Sequence, residues 1–233
     1  MVNLPTYFRS ASEVDCILDK HLAKPLDELF AAKGLKLLVY GEIGQIDLVG
    51  KKAYVNPQDV KGLKGITYSK QQSVMWHALG ANGTFVGVPE WSSALQTGVV
   101  DVAASPMALY VPAGINQVAP VLSRVNLVNS PGAVLINKAA CDKLSAEQQA
   151  ALERVFKLEN AALLRKEICG FDAKLCEMHV AGGGQIVETS AEQREAWRKA
   201  IAPAWPEMVK VMGGQGEALF KLVEGAHESC KGG

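Results

Sequence analysis

Between Leu35 and Asn137 the chain keeps switching between short apolar runs and capped, helix-spaced stretches, with glycine or proline at almost every switch. Strand-length runs alternating with helical segments specify an α/β chain and leave little room for a helical bundle or an all-β sandwich. The runs Leu35 to Tyr40, Leu63 to Tyr68, Thr84 to Val88 and Val99 to Ala104 read as strands. Ser69 to Leu79, closed by Gly80, and Pro89 to Gln96, closed by Gly98, read as the helices between them. Arg124 to Val128 and Ala133 to Asn137 read as two more strands joined through Ser130-Pro131-Gly132, and Gly41 to Gly50 as a glycine-rich loop. Both parallel and crossing strands are expected.

The flanks are helical. Ser10 and Glu13 have capping-box spacing ahead of Val14, Ile17, Leu18 and Leu22; Pro25 restarts the pattern and Gly34 stops it. Ser145 with Gln148 opens a helical periodicity of thirty-odd residues towards Met178, read as one helix or two joined near Gly170, where glycine favours a bend. Gly182-Gly183-Gly184 ends it, Gln185 to Glu188 is a short strand, and Ser190 with Gln193 caps the next helix. Pro203 and Pro206 break that helix before an amphipathic stretch around Leu219 to Val223.

Charge narrows the function. Lysine plus arginine number 24 and aspartate plus glutamate 24, without a basic block, which argues against nucleic acid as a partner. No apolar run is long enough to span a bilayer; Gly98 to Gly114 is interrupted by Asp101 and Pro106. The residues from Met1 to Arg9 have no export-signal pattern. The five cysteines form no CxxC pair and no metal-ligand spacing; they read as small buried hydrophobes with a tail thiol at Cys230. His21, His77, His179 and His227 stand apart, and no catalytic or phosphate-loop motif follows a strand, so neither an enzyme nor a cofactor is expected.

One series of motifs resembles a known family. Asp59-Val-Lys-Gly-Leu-Lys64, Ala78-Leu-Gly-Ala-Asn82, Pro89-Glu90, Ala94-Leu-Gln-Thr-Gly-Val-Val-Asp101, Leu135-Ile-Asn-Lys138 and Lys143-Leu-Ser-Ala-Glu-Gln148 occur in that order. Together they resemble the substrate-binding proteins of the tripartite ATP-independent periplasmic (TRAP) transporters, of the DctP type. The resemblance runs from about Leu4 to Leu222. It implies a periplasmic-binding-protein-like two-lobe α/β fold with crossing strands and a long lobe-spanning helix. It also implies capture of a small molecule in the periplasm and its delivery to integral membrane permease subunits. A stand-alone ligand-sensing or degenerate binding protein is the rival reading. Family members carry further strands and helices and an export signal ahead of the matched region. On this pattern residues 1–43 and 132–171 belong to the remnant of the first lobe, 44–131 and 172–200 to the second, and 201–233 to C-terminal helices, with crossings near Ile43 and Pro131.

Two substitutions alter the chemistry that the resemblance implies. The family's arginine, which pairs bidentately with a substrate carboxylate, aligns with Ile66, and a second arginine of some members aligns near Ile46. An asparagine common after the fourth strand aligns with Ser105. A neutral or mostly apolar ligand is therefore expected. Ligands of open α/β sheets sit at the carboxyl ends of strands. That rule, with the alignment, selects Ser105, Tyr68, Gln45, Trp91, Lys70 and Glu90 as ligand-binding candidates. Glu42 and Trp76 are weaker ones. Tyr68 shares strand parity with Ile66, so both are expected to face the cleft.

Overall fold

A computed structural model describes residues 3–156 and 158–230 of the chain. In chain order the elements are α1 (Ala11–Ile17), continued by a π-helical turn Leu18–Leu22 into α2 (Ala23–Ala31), then β1 (Leu35–Gly50), β2 (Lys64–Thr67), α3 (Lys70–Ala78) and β3 (Asn82–Phe85). Next come α4 (Trp91–Thr97), β4 (Val102–Pro106), α5 (Met107–Tyr110), β5 (Val121–Asn137), α6 (Lys138–Cys141), α7 (Ala146–Val155) and α8 (Leu158–Ala181). The chain closes with β6 (Gln185–Glu188), α9 (Ala191–Ile201), α10 (Trp205–Met212) and α11 (Gly216–Cys230). The helix starts follow local chemistry: Ser10, Ser69, Ser145 and Ser190 each accept a hydrogen bond from the backbone N–H three residues on.

The strands form one six-stranded sheet in the order β3-β2-β4-β1-β5-β6. β2 runs parallel to β3 and β4, and β5 parallel to β6, while β1 is antiparallel to both its neighbours. Parallel and crossing strands thus coexist, as expected. The supposed loop from Gly41 to Gly50 is instead the second half of β1, and the two expected strands around Ser130-Pro131-Gly132 are one, β5. The reason is nonlocal: the two segments pair with each other from Leu35↔Asn137 to Gly50↔Val121. Gly41 and Gly132 face one another in that ladder, and Glu42 faces Pro131. Gly44, at φ +102°, sits at one of the register shifts, so glycine here marks a bulge in a strand.

Alternate side chains along β1 and β4 feed two cores. Ile46, Leu48, Val102 and Ala104 pack with Leu4, Leu18, Trp76, Trp197, Met208 and Val223 from the N-terminal segment, the π-helical turn, α3, α9, α10 and α11. Val49 and Ala103 face the other way, packing with Trp91, Leu95, Tyr110 and Leu175 from α4, α5 and α8. Residues 4–22 therefore share the first core with Ile46, Leu48, Val102 and Ala104, whereas the second core takes none of its described residues from before Val49. The close fit of α3 rests on Gly65: a Cβ there would come within 2.3 Å of the Trp76 ring, whose Nε1–H donates to the Ile66 carbonyl at 2.8 Å.

The long helix departs from expectation. It is broken after Val155, where Phe156 leaves helical geometry, and is continuous through Gly170, which lies in open space on α8. α8 crosses much of the sheet: Arg165 pairs with Asp15 and Asp19 beside α1, and His179 packs its ring on Tyr110 of α5. Cys230 is no exposed tail thiol. It is buried and bonded to Cys16, joining α11 to α1 across 214 residues of chain.

Candidate functional site

A cavity of about 230 Å³ opens where β2 and β4 end and α3 begins. Ile46, Ala104, Leu127 and Val128 form its sheet side, Met75 and Met212 its helical side, and Asn3 and Pro5 close it from the N-terminal segment. Tyr68, Ser69, Gln71 and Gln72 contribute the other polar groups, and among the described residues no charged one is in its lining. Local bonds fix this polar edge. The Ser69 hydroxyl caps α3 by accepting from Gln72 N–H at 3.2 Å, and the Gln72 amide oxygen accepts from Tyr68 N–H at 3.0 Å. The half-exposed Tyr68 ring stacks on Trp91, with centroids 5.9 Å apart, and burial pushes its phenol pKa up.

The structure distributes the candidate residues over several places. Tyr68 and Ile46 line this cavity. Ile66 does not: it is fully buried in the core with Trp91, because β2 ends at Thr67 and strand parity no longer governs Tyr68. Trp91 is buried, its Nε1–H donating to the Val86 carbonyl at 3.1 Å, so it supports Tyr68 from behind. Trp76 is core. Ser105 is fully buried opposite Asp47 in the β1–β4 ladder, its hydroxyl donating to the Pro106 carbonyl at 3.2 Å, and is not in the lining of this cavity. Lys70 and Glu90 are exposed and lie outside the cavity lining.

Gln45 and Glu42 belong to a second space of about 190 Å³ under α8, shared with Arg124, Asn129, Cys169 and Asp172. Arg124 Nη2 donates to Cys176 Sγ at 2.8 Å; its Nε lies 3.2 Å from Glu188 and its Nη1 3.9 Å from Asp47. Asp47 is buried and accepts from Asn126 N–H at 2.8 Å. Its burial outweighs that bond and Arg124's charge, pushing its pKa up to about 7. Asp172 is raised as well, chiefly by burial. Among the described residues no group of three acidic, histidine or cysteine side chains could hold a metal, and no helix is long and apolar enough to cross a membrane.

Sequence reasoning missed Asn3, Pro5, Leu127 and Met212, which arrive from distant segments and carry no local signal. Gln72 was within reach, since Ser69-x-x-Gln72 has capping-box spacing.

A mixed sheet with crossing long strands, helices on both faces and a cavity at the strand ends is the fold of two-lobe periplasmic solute-binding proteins. Solved TRAP periplasmic solute-binding proteins match it. That of Sulfurospirillum deleyianum, with bound succinate, is 29% identical, covers 96% of this chain and 73% of its own, and has a TM-score of 0.82. That of Ochrobactrum anthropi is 26% identical, covers 98% and 72%, and has a TM-score of 0.81. The chain belongs to the bacterial extracellular solute-binding proteins, family 7 (DctP), whose profile matches residues 1–211. A solute-binding protein of Verminephrobacter eiseniae is 30% identical over 91% of this chain and 63% of its own length. The 2,3-diketo-L-gulonate-binding periplasmic protein YiaO of Escherichia coli is 29% identical over 96% and 68%, and the C4-dicarboxylate-binding periplasmic protein DctP of Rhodobacter capsulatus 28% over 94% and 66%. The chain thus spans about two thirds of the length of these relatives.

Proposed function

We propose that this chain is the solute-capturing, non-enzymatic component of a TRAP-type uptake system. It holds a small organic acid in the cavity at the strand ends and delivers it to integral membrane permease subunits. The carrying observation is that cavity: on a fold of this family it lies at the carboxyl ends of β2 and β4, where open α/β sheets take ligands. The buried Cys16–Cys230 disulfide supports a periplasmic setting, because structural disulfides persist in oxidising compartments. A hinge motion that makes new ligand contacts only in the closed state would be the working step.

The apolar and uncharged lining favours a second reading, a neutral or apolar solute. Of the two isoleucines behind that expectation only Ile46 touches the cavity, so its basis is narrower than the alignment suggested. Calorimetric titration against mono- and dicarboxylates and their amides decides between the two. Under the main reading acids bind and amides do not. Ile46→Arg, which adds a guanidinium to the wall, then tightens acid binding by tenfold or more, since close charge pairs couple by roughly 1.5–7 kcal/mol and tenfold needs only about 1.4. Amides binding better than acids would select the second reading. Binding of neither class, to the natural protein or the variant, would remove both.

A further inference from the structure

A third cavity, of about 200 Å³, lies where the N-terminal segment, β5 and α9 meet, and its chemistry is the opposite of the first. Thr6, Arg9, Asn126, Arg194, Glu195 and Arg198 bring three guanidinium groups against one carboxylate. The guanidinium groups are weakly compensated. Arg9 Nη1 lies 3.9 Å from Glu195. Arg194 donates through Nη1 to the Thr189 carbonyl. Arg198 donates through Nη1 to the carbonyls of Thr6, at 2.6 Å, and Tyr7, at 2.8 Å, while its guanidinium lies against the Trp205 ring. Among the described residues no hydrogen bond uses Nη2 or Nε of either, so one edge of each planar fork is unspent. Arg194 and Arg198 are four apart on α9, a spacing at which like charges repel.

The backbone around them is strained in the same place. Thr6, at φ +58°, and Asn126, at φ +56°, are the only non-glycine residues with positive φ among those described, and both line this cavity. Asn126 gets there because β5 bulges: the register passes from Ile46↔Val128 to Leu48↔Ser123, four residues of β5 opposing Asp47 alone. Bulges and left-handed residues collect at ligand sites, where surrounding structure over-determines them. Arg198 is moreover held below its ordinary pKa, by burial first and then by the charge of Arg9, as befits a cluster short of anions.

We propose that this cavity is a second binding site, for a small oxyanion such as a phosphate or carboxylate group, with Arg9, Arg194 and Arg198 as its donors. Planar guanidinium forks match two-oxygen acceptors bidentately, and the space suits a phosphate-sized group. Occupancy would also brace the first cavity, because Thr6 and Arg9 continue the segment that supplies Asn3 and Pro5 to its wall.

The test is thermal denaturation of the whole protein in sodium phosphate, sodium succinate and sodium chloride at equal ionic strength, with calorimetric titration of phosphate. A saturable rise of about 3–6 °C at tenfold excess over Kd, in phosphate or succinate and not in chloride, is expected. Arg9→Gln combined with Arg194→Gln abolishes it, and Arg194→Lys, which keeps the charge without the fork, weakens it severalfold. If the double variant does not fold, Arg9→Gln alone, at an exposed side chain, weakens phosphate binding severalfold. Equal shifts in all three salts, or a phosphate response that survives the substitutions, overturn the site. A succinate response that survives them without any phosphate response belongs to the first cavity and overturns this one equally. Failure of the acid titration at Ile46 leaves the phosphate result untouched.

Discussion

Reducing the Cys16–Cys230 bond should loosen the molecule at one end and lower its stability substantially. The bond closes a loop of 214 residues, and the chain-entropy relation gives about 18 cal/mol/K for a loop of that size, or about 5 kcal/mol at 25 °C. Measured effects typically reach about 2–4 kcal/mol, and for a chain of this length each kcal/mol shifts Tm by roughly 2–4 °C. A fall of about 5–15 °C is therefore expected. The lower part of that range applies if α11 separates from α1 before the rest unfolds. Without the bond, α11 keeps Val223 and Ala226 in the core and the His227–Glu13 contact at 2.9 Å, enough to hold it at low temperature. The assay is calorimetry of the native protein, of the reduced protein and of Cys16→Ala/Cys230→Ala. Thiol titration under denaturing conditions gives the redox state: three free thiols when oxidised, for Cys141, Cys169 and Cys176, and five when reduced. A Tm unchanged within 2 °C between the three-thiol and five-thiol forms would refute the reasoning.

Two further outcomes follow from buried groups. Asp47 keeps its proton in the folded protein up to about pH 7, whereas the unfolded chain releases it near pH 4. Stability therefore falls as pH rises through that window, by up to roughly 4 kcal/mol from this group. Asp15, raised to about 6 chiefly by burial, adds a slope of the same sign. Asp47→Asn retains an acceptor for Asn126 N–H and should flatten most of the decline in urea midpoints between pH 4.5 and 7.5; a profile parallel to the natural protein's would count against it. Gly65→Ala should cost about 1–3 kcal/mol, since its methyl group enters the Trp76 ring, and chemical denaturation reads this directly. An unchanged midpoint would mean that α3 can retreat from β2 freely.

What the chain announces locally it announces well. The caps at Ser10, Ser145 and Ser190 stand where their spacing puts them, because each cap is a bond between residues three apart. Gly41 to Gly50 misleads for the opposite reason. Glycine lowers strand propensity, but the ladder to β5 outweighs it, and that partner lies about seventy to ninety residues away. Ser130-Pro131-Gly132 misleads in the same way. The disulfide is invisible for a related cause: Cys16 and Cys230 meet only once α1 and α11 share a core. At the first cavity Tyr68 was legible from the end of its strand, while Met212 and Asn3 depend on how the two ends of the chain pack. Arg9, Arg194 and Arg198, far apart in sequence or spread on one helix face, gave no motif at all.

The pairing of β1 with β5 also sets an order of events during synthesis. Leu35 must wait for Asn137 before its rung of the ladder can close, a separation of 137 − 35 = 102 residues. Leu4 and Leu18 share their core with Met208, Val223 and Cys230, about two hundred residues further along the chain. Until that distant segment has been made, the apolar side chains of Leu4 and Leu18 lack these partners. Long-range pairing of this kind makes folding slow, and the unpaired strand edges and apolar helix faces stay open to association until it is complete.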